Sequence, residues 1–197
     1  MSIKKIVLIN GHPGQSSLNK SLAETYRQSA AARGHQVRYH DISAMEFDID
    51  YGHSGYTNIK PLEPALEAFI SDLEWAEHVV VTTPLWWGAM PAKLKGAFDR
   101  ALLPGRAFDT RNTNAVGIPA PMLKGKTARV LLTADTPAFF LWLMYGNAIK
   151  KIFSRQILGF VGIKPTRFTS FAPASHADEK KVQTWREKVA QLGAEAA

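Results

Sequence analysis

Three short apolar runs constrain this chain more than any other feature. They are Lys4–Asn10 (KKIVLIN), His78–Thr83 (HVVVTT) and Ala128–Thr133 (ARVLLT). None alternates polar with apolar residues, and the first and third stop at a polar Gly- or Asp-containing turn. A run of that kind reads as a strand covered on both faces, the condition of a parallel sheet with helices above and below. Gln36–His40, which does alternate, and Thr166–Phe171 read as two further strands. Helix-period stretches fall between them: Leu18–Ala32 closed by Gly34, Pro61–Trp75, Pro91–Leu103, Tyr145–Leu158 and Ala177–Leu192. Asp41–Lys60 reads as a long irregular connection.

Strands therefore alternate with helices from end to end, with no repeat, low-complexity tract or linker. Each parallel crossover needs a covering element, so the expected fold is α/β: a doubly wound, flavodoxin-like sheet of five parallel strands with helices on both faces. The 197 residues fit one domain spanning 1–197. In such sheets the ligand crevice lies outside the strand C-termini, which directs attention to the loops after strands one, three and four.

Composition excludes several alternatives. Hydrophobic types make up 46% and charged types 21%, an ordinary globular balance rather than a disordered one. No apolar run approaches the ~18 residues a membrane span needs, and the first apolar run gives way to a Gly-His-Pro-Gly turn where a signal peptide would continue. There is no cysteine, so no disulfide, thiolate metal site or Cys nucleophile exists; a reducing cytoplasm suits such a chain. The six histidines show no HExxH or close pair of metal-ligand type, and no Gly-x-Ser-x-Gly elbow occurs. The net charge of +7 is uneven: residues 1–99 hold 9 basic and 11 acidic side chains, the remainder 15 and 6. A basic half points either to an anionic partner or to a solvated surface. Nucleic acid is not expected, because Lys124, Lys126, Arg129, Lys150, Lys151, Arg155, Lys180 and Lys181 are scattered over several elements and form no binding motif.

The first loop is Gly11-His12-Pro13-Gly14-Gln15-Ser16-Ser17-Leu18-Asn19. Two glycines allow close backbone approach, and Ser16, Ser17 and Asn19 place polar side chains beside the free N–H groups of a helix start. That suits a phosphate. The plainer reading is a turn with Ser17 as N-cap. It is neither a Walker loop nor a Gly-x-Gly-x-x-Gly fingerprint. The third-strand loop, Pro84-Leu85-Trp86-Trp87-Gly88 onward, sets two tryptophans at the crevice mouth, where flat apolar side chains and backbone donors suit a planar ring such as a flavin. After strand four, Thr133-Ala134-Asp135-Thr136 offers polar groups to that ring's edge. The following run, Phe139–Tyr145, reads as a quinone pocket, a dimer interface or ordinary core.

Three blocks in order, GHPGQSSLN, TPLWWGAMPAKLKGAFDRAL and ILGFVGI, resemble the flavodoxin-like NAD(P)H:quinone oxidoreductases, both the diaphorase-type enzymes and the small bacterial reductases that accompany potassium-efflux systems. The resemblance implies a homodimeric flavoprotein: NAD(P)H reduces the flavin, NAD(P)+ leaves, and a quinone takes two electrons in a ping-pong cycle. By position, His12, Ser16, Ser17, Leu18 and Asn19 would hold the ribityl phosphate, and Pro84, Leu85, Trp86, Trp87 and Gly88 the ring. Thr133-Ala134-Asp135-Thr136 departs from the family's Thr-Thr-Gly-Gly. The diaphorase-type Tyr/His pair has no counterpart; Tyr145 is the nearest catalytic candidate. The short connection after strand two favours FMN over FAD. A regulatory flavoprotein subunit of a membrane transporter and a flavodoxin-type electron carrier are the alternatives; a pI near 9.7 counts against the carrier, which is usually acidic. The dimer is expected to bury Phe139–Tyr145, because so apolar a rim suits no monomer surface.

Overall fold

A computed structural model describes residues 2–51 and 60–196. Seven strands and six α-helices follow in the order β1 (Lys5–Asn10), α1 (Leu18–Ala32), β2 (Gln36–Asp41), α2 (Pro64–Trp75), β3 (His78–Pro84), α3 (Ala92–Ala101), β4 (Phe108–Thr113), β5 (Pro119–Pro121), β6 (Thr127–Thr133), α4 (Ala138–Leu143), α5 (Ala148–Lys151), β7 (Thr166–Phe171) and α6 (Glu179–Glu195). A π-helical turn, Ile152–Ile157, continues α5. β1, β2, β3, β6 and β7 form one parallel sheet in the order β2-β1-β3-β6-β7. This is the expected flavodoxin-like arrangement.

The two-sided burial read from the sequence has a direct basis. Ile6 and Leu8 of β1 face α1 and α6, where they meet Leu22, Ala23, Tyr26, Val189 and Leu192. Val7 and Ile9 face the other way, into a larger core with Leu66, Phe69 and Leu73 of α2 and Leu94, Ala97 and Phe98 of α3. Alternate side chains of a strand point to opposite faces, so burying both faces removes the polar alternation.

Several boundaries move for physical reasons. The helix expected from Pro61 starts at Pro64, because Glu63 is its N-cap and the buried Arg100 binds both Glu63 Oε2 (2.9 Å) and the Pro61 carbonyl (2.9 Å). The stretch expected as helix over Tyr145–Leu158 begins only at Ala148, after a left-handed Asn147. The apolar run before it, read as a loop, contains α4. The antiparallel pair β4–β5 was not anticipated: it is short, polar and carries two prolines. The irregular connection after β2 holds no helix or strand over 42–51; its residues 52–59 lie outside the described ones.

Candidate active site

The three singled-out loops meet at the C-terminal edge of the sheet, and specific bonds hold them together. Gly11 N donates to Thr82 O of β3 at 2.7 Å. This contact needs glycine: a Cβ there would stand 2.5 Å from Leu94 Cδ2 and 2.9 Å from the Thr82 carbonyl. Asn10, the one polar residue of β1's buried stretch, donates to Asp41 Oδ1 (3.0 Å), and its own Oδ1 accepts from His12 N (3.3 Å) and Thr82 Oγ1 (3.3 Å). Burial alone would raise the Asp41 carboxyl, but its bonds with Lys20, Ser43 and Asn10 outweigh that and hold it below the usual range.

Within the first loop, Ser17 is the N-cap of α1, its Oγ accepting from Lys20 N at 3.1 Å. Its hydroxyl proton stays available to a ligand. α1 carries no acidic residue in its first turn, so nothing opposes an anion at the positive end of the helix dipole. The His12 ring accepts from Gly14 N through Nδ1 (2.9 Å), which leaves the neutral ring's proton on Nε2. The same ring stands edge-on to Trp86, centroids 5.3 Å apart, and so joins the first loop to the third. Asn19 is only 3% exposed; its Nδ2 donates to Thr133 Oγ1 at 2.8 Å and its Oδ1 is buried without a partner. Asn19 thus ties the first loop to the fourth-strand loop, and Leu85 N, bonded to Thr133 O at 2.8 Å, ties the third to it as well.

The third loop is a two-residue reversal. Trp86 and Ala89 exchange both backbone bonds at 2.9 Å, and the residues between them, Trp87 and Gly88, have φ of 49° and 76°. Two positive φ values are the signature of a type I′ turn, which glycine adopts freely and tryptophan does not. A bulky residue in that region is strained, and such strain concentrates at functional positions. The strained Trp87 side chain is also fully exposed (100%). Next to it a cavity of about 490 Å³ is lined by Leu85, Trp87, Thr136, Leu141, Tyr145 and Ile149.

Of the fourth-strand residues, Thr133 and Ala134 are buried and Thr136 lines this cavity. Asp135 turns elsewhere: its Oδ1 accepts from the Ser175 amide and hydroxyl, both at 2.7 Å, and these bonds lower its pKa. In α4 only Leu141 is buried (5%); Phe139, Phe140, Trp142, Leu143, Met144 and Tyr145 are all exposed. Sequence reading missed Asn10 and Ile149, and it took Leu141 for part of an exposed apolar rim when it is buried. A lone Asn closing an apolar strand was the available signal for Asn10; Ile149 carries none.

The residues present suit a flavin carrying a phosphate. Ser16, Ser17 and the α1 amides are donors that would suit a phosphate, and Leu85–Gly88 form an apolar wall with a cavity before it. Among the described residues no group of His, Asp and Glu could hold a metal ion, and no helix is long and apolar enough to cross a membrane.

The fold and these loops define a class. A family described as the flavodoxin-like fold matches residues 4–193, and the chain belongs to it. The resemblance drawn from the three loops is borne out among individual relatives. The chain is 24% identical, over 94% of its length and 92% of the relative, to a protein of Haemophilus influenzae named "uncharacterized NAD(P)H oxidoreductase". It is 32% identical to FMN-dependent NADH:quinone oxidoreductase 1 of Bradyrhizobium diazoefficiens, over 55% of this chain and 51% of that one. The structure of NAD(P)H:quinone oxidoreductase from Methanothermobacter marburgensis superposes with a TM-score of 0.80 at 20% identity, covering 99% and 98% of the two chains, a likeness of fold.

Proposed function

We propose that this chain is a flavin-dependent NAD(P)H:quinone oxidoreductase, a single cytoplasmic domain that works as a homodimer with FMN. One observation carries the reading: a helix start suited to a phosphate and a strained, exposed tryptophan turn are tied to each other, through His12–Trp86 and Asn19–Thr133–Leu85, and a cavity lined by Leu85, Trp87 and Thr136 lies against that turn. The similarity to the Bradyrhizobium enzyme favours FMN.

Bound flavin would supply a two-electron carrier between a nicotinamide and a quinone. The chain's own work is positioning and exclusion. Ser16, Ser17 and the amides of Leu18 and Asn19 bind the phosphate. Asn19 and Thr133 fix the spacing of phosphate and ring sites. Pro84 and Leu85 continue the rigid strand, and Trp86, Trp87 and Gly88 offer an apolar face. Leu141 and Ile149 keep water from the cavity floor. Donor and acceptor would both stack on the open face of the bound ring and so take turns, which is ping-pong order. Among the described residues lining the cavity Tyr145 alone is titratable, and as the catalytic candidate it would hand a proton to the acceptor oxygen. The exposed aromatic face of α4 is the surface a second copy would cover.

The test is the absorption spectrum of the purified protein, the mass of the released flavin, and initial rates with NADH or NADPH and a soluble quinone. A yellow protein releasing FMN and giving parallel double-reciprocal plots is expected. A colourless protein that takes up neither FMN nor FAD overturns the reading.

A further inference from the structure

Residues 136–177 include five basic side chains, Lys150, Lys151, Arg155, Lys164 and Arg167, and no aspartate or glutamate. Three of the five gather beside the candidate cavity. Ala148 and Ile149 of α5 line it, Lys150 and Lys151 complete that helix, and Arg155 follows in the π-helical turn. Ile149 and Phe153 hold the buried face of this segment, which leaves Lys151 and Arg155 exposed on the outer face and Lys150 half-buried. Lys151 Nζ lies 3.5 Å from where a Cβ on Gly146 would stand. Its ammonium is therefore at the turn beside Tyr145, which itself lines the cavity.

These cations lack the compensation found elsewhere in the chain. Arg27, Arg38, Arg100, Arg106, Arg111 and Arg186 each meet a carboxylate at 2.6–3.0 Å. Among the described residues no carboxylate pairs with Lys150, Lys151 or Arg155. Residues 52–59, outside the described ones, contain no acid. The terminal carboxylate follows Ala196, whose carbonyl is held by Lys4 before β1. A positive field without an opposing acid, at the rim of a cavity, favours an anionic ligand there. Of the two substrates only the donor is anionic; a quinone is uncharged and gains nothing from the cluster. NADH and NADPH share a pyrophosphate near their middle, and NADPH adds a phosphate monoester of about −2 charge at its adenosine end. Arg155 comes six residues after Ile149, ~9 Å further along the axis at ~1.5 Å per residue. It thus stands at the outer end of the cluster and Lys151 at the inner end.

We propose, resting on the NAD(P)H:quinone oxidoreductase reading above, that this cluster makes the chain select NADPH over NADH. Arg155 binds the 2′-phosphate that only NADPH carries, its forked donors matching the phosphate oxygens. Lys151 meets the pyrophosphate common to both donors. Lys150 adds charge to the same field.

The experiment titrates FMN-saturated protein with NADP+ and with NAD+, which bind without turnover, and follows heat. NADP+ should bind at least about tenfold more tightly, and ~0.5 M salt should narrow the gap. Arg155→Ala, at an exposed position, should bring the two affinities together by weakening NADP+, and Arg155→Lys should restore part of the difference. Lys151→Ala should weaken both dinucleotides by a similar factor. The ratio of kcat/KM for NADPH to that for NADH should follow the same pattern, with flavin content and light scattering as in the wild type. Equal affinities in the wild type overturn the proposal, and so does a preference that survives Arg155→Ala. Variants that fall apart into monomers while still preferring NADP+ also overturn it, because the cluster then serves a second copy. A protein that takes up no flavin defeats the functional reading instead; the two dinucleotides are then compared on the protein as purified, and the same outcomes decide the proposal.

Discussion

The two walls of the crevice are built on opposite terms. The wall formed by residues 11–19 is tied down by its own bonds, with Asn19 Oδ1 left open: Ser17 caps α1, His12 binds Gly14, Gly11 is pinned to Thr82 and Asn19 to Thr133. The wall formed by Trp87 and α4 leaves its side chains uncovered, with Trp87 strained and six large apolar side chains of 139–145 facing outward. A tied-down wall is in place before any ligand arrives. An uncovered one gains most from being covered, and what covers it decides which reactions the site admits. The first wall should therefore govern cofactor affinity, and the second should govern assembly and turnover with the acceptor.

The largest expected effect comes from breaking the uncovered wall. Phe140→Asp with Leu143→Asp puts two charges on exposed positions of the α4 face, so the fold survives while an apolar interface does not. Leu141, the other leucine of α4, is unsuited to this test because it is buried and its replacement would disturb packing directly. At hot-spot values of about 2 kcal/mol or more per side chain, dimer affinity should fall by a factor of several hundred or more. Quinone reduction should fail before flavin affinity changes. Light scattering and flavin retention, measured together, separate the two; a wild-type monomer with full activity at micromolar concentration would refute the role given to this face.

A smaller effect tests the seam between the walls. Thr133→Val removes the acceptor for Asn19 Nδ2 in a buried place and should lower stability by about 1–3 kcal/mol, with flavin affinity falling because the two binding regions lose their fixed spacing. Urea unfolding and a flavin titration would show both. If flavin affinity holds while stability drops, Asn19 and Thr133 are structural alone.

How much of this was legible in the sequence depended on what held each element. α1 was readable to its exact ends, because Ser17 and Gly34 mark them and Leu22, Ala23 and Tyr26 keep the helical period. β3 and β6 came within one residue, since burial on both faces leaves an unmistakable apolar run. α4 was not readable: with only Leu141 buried, its face has no polar–apolar period to detect. β4–β5 was hidden by Pro119 and Pro121, tolerable only in a short two-stranded pair. For the site, the two loops proposed for phosphate and ring stood out as residue types at a strand end. That Asn19 and Asp135 spend their side chains on Thr133 and Ser175 rests on tertiary neighbours 114 and 40 positions away, beyond any local pattern.

The smallest effect probes the tied-down wall by a single hydroxyl. Ser17 Oγ has two tasks that can be told apart: it accepts from Lys20 N as the cap of α1, and its proton is free for a phosphate oxygen. Ser17→Ala removes both and should lower stability by about 1 kcal/mol and weaken flavin binding by the worth of a charge-assisted hydrogen bond, about 1.5–3 kcal/mol. Ser17→Gly restores most of the capping geometry without the hydroxyl, costing only a few tenths of a kcal/mol relative to serine. If the first wall works by affinity alone, the two variants should differ in Tm, match in weakened flavin affinity, and turn over at the wild-type rate per bound flavin. A collapse of that rate with flavin still bound would place chemistry on a wall proposed only to bind the phosphate.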